Sequence, residues 1–127
     1  MAEGDNRTIL LVDDDIALLQ IGVDVFERYG FRVITAENGE DAIDAYIEKD
    51  EQIDLVILDL NMPGMGGDKC LKELLKLNSN LKIIILSGYT DNRIEHKVVS
   101  EGAAAFISKP YKLNDMLSVI NKILQKD

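Results

Sequence analysis

Five residues in this chain are suited to moving a phosphoryl group: Asp13, Asp14, Asp59, Ser87 and Lys109. Each directly follows or ends a short apolar run. Asp13-Asp14-Asp15 follows "ILLV", Asp59 closes "DLVILD", Ser87-Gly88 follows "IIIL", and Lys109-Pro110 follows "AFIS". If those runs are parallel strands of one open sheet, their carboxyl ends share an edge, where such sheets bind ligands at the reversal of strand order. Two carboxylates about 4 Å apart repel by ~4 kcal/mol at an effective dielectric near 20, so acids gathered there must take up protons or bind a cation. An all-oxygen set of carboxylates, a backbone carbonyl and waters suits Mg²⁺, which commonly bridges carboxylates to a phosphate. With a mobile ammonium at Lys109 and a hydroxyl at Ser87, that edge could stabilise a phosphoryl group over an aspartate.

The elements that must position these residues follow from the apolar pattern. Strands are expected at Thr8–Val12, Arg32–Ala36, Leu55–Leu58, Lys82–Leu86 and Ala105–Ile107. The third and fourth are apolar throughout, as suits central parallel strands covered on both faces. Helical segments lie between them. Leu113, Met116, Leu117, Ile120, Ile123 and Leu124 form the clearest stripe, and a first helix over about Ile16–Tyr29 ends before Gly30. Five βα units with right-handed crossovers predict an α/β fold, an open parallel sheet with helices on both faces.

Composition narrows the setting. The chain has 127 residues, enough for one domain, read as an N-terminal extension over 1–7 and a single domain over 8–127. It is 46% hydrophobic and 29% charged, a balance that excludes disorder, and no apolar run is long enough to span a membrane. One cysteine, Cys70, cannot form an internal disulfide, and no signal segment opens the chain, so a cytoplasmic location is expected. A net charge of −9 argues against direct nucleic-acid binding.

Four segments, "LLVDDD", "LVILDLNMPGMGG", "IIILSGYT" and "AFISKPY", stand in an order and spacing that resembles the receiver domain of bacterial two-component response regulators, including receivers of hybrid sensor kinases. The likeness covers about residues 8–125. It implies a flavodoxin-like (βα)5 sheet of order 2-1-3-4-5. It further implies that Asp59 is the phosphoacceptor, that Asp14, Asp59 and the backbone carbonyl of Asn61 bind Mg²⁺ (with Mn²⁺ as a substitute), and that Asp13 assists through water. Ser87 and Lys109 would hold the phosphoryl oxygens, and Phe106 would occupy an aromatic switch position. Asn61 and Tyr89 would tune dephosphorylation, with the bulk of Tyr89 shielding the acyl phosphate. Lys109-Pro110 would be a cis peptide, tolerable because the second residue is proline. The implied donor is the phosphohistidine of a sensor histidine kinase or histidine phosphotransfer domain. Such a domain is not a classical enzyme, though it catalyses its own phosphorylation and slow dephosphorylation. Its output face is built from the fourth helix, fifth strand and fifth helix, where a homodimer could form.

Other readings weigh against individual residues. Asp15 stands where a helix N-cap belongs, His96 reads as solvated and Cys70 as packing. Asp13-Asp14-Asp15 also matches the D-x-D motif of haloacid-dehalogenase-type phosphohydrolases, with Asp13 as nucleophile and Asp15 as acid/base. Against it, this chain has no acidic pair after Lys109, where that family completes its metal site, and carries an acid at Asp59 that the family does not require.

Overall fold

The computed structural model describes residues 6–49, 52–62, 64–88 and 92–124. Five strands, β1 (Thr8–Val12), β2 (Arg32–Ala36), β3 (Ile53–Asp59), β4 (Ile83–Ser87) and β5 (Ala105–Ser108), alternate with five helices. These are α1 (Ile16–Arg28), α2 (Gly39–Lys49), α3 (Gly67–Leu77), α4 (Asn92–Ser100) and α5 (Leu113–Leu124). All strand pairings are parallel, in the order β2-β1-β3-β4-β5, so the reversal of order falls between β1 and β3.

The apolar runs explain the sheet. Every residue of β1 and β4 is buried, as is all of β3 except Asp54, so alternate side chains feed two separate cores. Leu10, Val12, Val56, Leu58, Ile83 and Ile85 pack with α2, α3 and α4. Ile9, Leu11, Leu55, Ile57, Ile84 and Leu86 pack with α1 and α5. On α5 the expected stripe is the buried one, with Met116, Leu117 and Ile120 against the sheet. Cys70 is fully buried in the first core, and burial, followed by the charges of Glu40 and Glu73, pushes its thiol up to about 12.

Strand bounds differ from the sequence reading where neighbouring strands extend a ladder. β3 runs on to Asp59 because Asp59 lies opposite Leu86, and β5 runs on to Ser108 because Ser108 lies opposite Ser87. β4 starts one residue later than expected, although the Lys82 carbonyl still accepts from the Val56 amide at 2.9 Å. The first helix ends at Arg28. Tyr29 caps it, and Gly30 takes a positive φ of 90° in the turn into β2.

Asp15 caps α1. Its carboxylate accepts from the Ala17 and Leu18 amides at 3.0 and 3.3 Å. Asp15→Ala is expected to lower stability by about 1 kcal/mol in urea denaturation, the usual cost of losing such a cap.

Candidate functional site

The carboxyl ends of the strands bring the expected residues together. Asp13 leaves β1 with its amide donating to the Ala36 carbonyl at 3.1 Å, which fixes the backbone at the edge of the sheet. Its side chain is turned inward by the Asp15 amide, which donates to Asp13 Oδ1 at 3.0 Å. Asp14, next in the turn, is exposed. Asp59 is the last residue of β3 and is only 4% exposed. One carboxylate oxygen from each of Asp13, Asp14 and Asp59 lies within 4.8 Å of the others.

Lys109 reaches this cluster from the loop after β5. Its Nζ stands 3.6 Å from Asp13 Oδ2 and 3.4 Å from Asp59 Oδ1. The Lys109 amide donates to the Ser87 carbonyl at 2.7 Å, which holds its backbone beside the end of β4. The Lys109–Pro110 peptide is cis, as the family resemblance implied. Three carboxylates against one ammonium leave a formal −2 at the site. That surplus, on an all-oxygen donor set of this size, fits one divalent cation of the Mg²⁺ type.

The electrostatics of Asp59 follow from its position. Burial pushes its carboxyl above the ordinary value of 3.8; the Asn61 amide, 3.2 Å from Oδ1, and the Lys109 ammonium pull it partly back, and Asp13 pushes it up again. The result is a carboxylate more basic than a solvated one, and so a better nucleophile once ionised.

The remaining expected residues flank this centre. Ser87 is fully buried at the end of β4, beside the Asp59–Leu86 pair. Asn61 is exposed two residues beyond Asp59. Phe106, opposite Ile85, is partly buried against the core under α2, α3 and α4. Tyr89 lies outside the described residues.

Sequence reasoning missed two features. One is Gly67, the first residue of α3. A Cβ there would stand 2.5 Å from the Asp59 carbonyl oxygen and 2.6 Å from Leu60 Cα, so only glycine lets α3 start this close to Asp59. The other is a groove of about 530 Å³ beside the site, walled by Leu18, Ile21 and Val25 of α1 and by Pro110 and Tyr111, and reaching Asp13 and Lys109. The apolar residues on the outer side of α1 were a signal for it; Ile21 is 58% exposed.

The chain belongs to the response regulator receiver domain family, whose profile matches residues 9–121. It is 35% identical to the chemotaxis protein CheY of Bacillus subtilis over 91% of this chain and 96% of that protein. It is 30% identical to the sensor kinase CckA of Brucella abortus over 95% of this chain but 13% of the kinase. Among solved structures, a CheX-CheY-BeF3-Mg complex from Borrelia burgdorferi superposes with a TM-score of 0.90 at 30% identity, covering 94% of this chain and 90% of that one. A phosphoacceptor signalling role fits this family and the acidic pocket, and the phosphohydrolase alternative is not favoured. In keeping with that, Asp15, its acid/base candidate, is occupied as a helix cap. No helix among the described residues is long and apolar enough to cross a membrane.

Proposed function

We propose that residues 8–127 form one receiver domain that takes a phosphoryl group onto Asp59 from the phosphohistidine of a sensor kinase or phosphotransfer domain. The observation that carries this reading is the burial of Asp59 between the Asp13/Asp14 pair and Lys109. In the transfer, a bond forms from an Asp59 carboxylate oxygen to phosphorus as the bond from phosphorus to the imidazole nitrogen breaks. Asp14, Asp59 and the Asn61 carbonyl would hold Mg²⁺, with Asp13 acting through water; Mn²⁺ suits the same oxygen donors. When bound, the metal supplies positive charge against the equatorial phosphoryl oxygens.

The chain's own residues do the rest. Lys109, already against both Asp13 and Asp59, exchanges its carboxylate contacts for a phosphoryl oxygen. Ser87 donates its hydroxyl to another, and its shift makes room into which Phe106 turns, altering the face of α4, β5 and α5. That is a population shift between two states, and a partner or second copy reads it. Asn61 and Tyr89 govern access of water to the acyl phosphate and so its lifetime. The donor must bring its imidazole in line with Asp59, so the residues flanking it cover the adjoining apolar groove. A cytoplasmic location and the lack of direct nucleic-acid binding accord with this role and with the charge of −9.

Incubation with a small acyl-phosphate donor and Mg²⁺, followed by intact mass and peptide mapping, tests the assignment. One phosphoryl adduct is expected on Asp59 in wild type and none in Asp59→Ala. Persistence of the adduct in that variant, or its mapping to Asp13, would refute the reading.

A further inference from the structure

The helix that follows Ser87 has the weakest apolar anchorage of the five. Along α4 only Val98 is buried, whereas α3 buries Gly67, Cys70, Leu71 and Leu74. Charge contacts supply the rest of its attachment. Lys97 of α4 donates to Asp68 Oδ2 of α3 at 3.0 Å. Lys72 of α3 stands 3.2 Å from Glu101 Oε2, just beyond α4, and 4.0 Å from Asp68 Oδ2. The other oxygens of the two acids, Asp68 Oδ1 and Glu101 Oε1, are closed off from solvent without a hydrogen-bond partner.

The placement of this network gives it a consequence. Asp68 begins nine residues after Asp59, at the start of the helix that the acceptor loop feeds. Lys97 sits ten residues after Ser87, on the helix that β4 feeds. Drawing Ser87 toward a group on Asp59 would pull on the ends of β3 and β4, the strands that precede the two helices tied together by the network. We propose that the Asp68–Lys97 and Lys72–Glu101 contacts form a latch that holds α4 on α3 in the arrangement described above and resists its displacement, so that its strength sets how readily the domain takes up a phosphoryl group. This inference rests on the receiver reading above. Removing either cation leaves two shielded carboxylates facing each other and loosens α4. Linkage requires that whatever favours the switched state also favours the phosphoryl group that selects it.

Titration of the full chain with beryllofluoride, an inert phosphoryl mimic, at saturating Mg²⁺ tests the latch. Lys97→Met and Lys72→Met, which keep the aliphatic stems, are each expected to bind about three-fold more tightly than wild type. Adding Asp68→Asn to Lys97→Met should give no further three-fold gain, because both act on one contact. Amide exchange at Val98 should be faster in the unliganded variants. If wild type binds the mimic but the variants bind it equally or more weakly, the latch is overturned whatever the exchange rates. If wild type does not bind it, the receiver reading falls and the latch with it.

Discussion

Asp59→Asn is expected to yield a protein that accepts no phosphoryl group and is more stable than wild type at neutral pH without metal. The loss of function needs no more than the loss of the nucleophilic oxygen. The gain in stability comes from the same environment that tunes the acid. Burial, reinforced by Asp13, raises the folded-state pKa of Asp59 above its unfolded value, so folding binds this proton more tightly than the unfolded chain does. The sign follows: the ionised carboxylate destabilises the fold, a penalty fully present above the raised pKa and lost as pH falls through it toward 3.8. An amide removes the charge and leaves Lys109 its contact with Asp13. Stability should rise by about 0.5–2 kcal/mol at pH 7, as when a functional compromise is relieved. Urea denaturation checks this. The gap should narrow below pH 4 (roughly the unfolded value), and it should also narrow when Mg²⁺ is added, since a ligand of the native site stabilises wild type more than the variant.

Gly67→Ala is expected to cost stability and chemistry together. Its methyl carbon would meet the backbone of Asp59 and Leu60, not the end of a flexible side chain, so relief requires β3 or α3 to move. The Gly67 amide also donates to the Leu60 carbonyl at 3.1 Å, which closes the acceptor loop. A loss of about 2–4 kcal/mol is expected in denaturation, in line with overpacking against a fixed backbone. Phosphorylation should slow by roughly a hundred-fold, the penalty for misplacing a reacting group by an ångström. Gly66→Ala is the control. A Cβ there meets nothing within 4 Å, so only the loss of a favoured N-cap residue is expected, about 1 kcal/mol and well short of the Gly67→Ala effect.

Much of the site was legible because each of its residues is tied to a strand end, and strands of unbroken Leu, Ile and Val identify themselves. Asp13, Asp59, Ser87 and Lys109 needed only that register to be placed on one edge, and β1 and β2 were bounded as read. The ends of β3, β4 and β5 were displaced by a residue or two because a ladder stops where its neighbour stops, as Asp59 opposite Leu86 illustrates. Distances between elements left no local trace. Nothing near Gly67 in sequence announces that a backbone lies 2.5 Å from its missing Cβ. Likewise, Asp68 and Lys97 are ordinary surface charges until α3 and α4 are brought side by side.

The state of Cys70 has a practical consequence. A thiol held at about 12 and fully buried is almost entirely protonated near neutral pH, and the thiolate is the form that reacts with alkylating reagents. The native protein therefore offers a silent background for thiol-directed probes. A single cysteine introduced at an exposed position such as Val99, on the outer side of α4, would carry a fluorophore or spin label selectively, without first deleting a residue from the core.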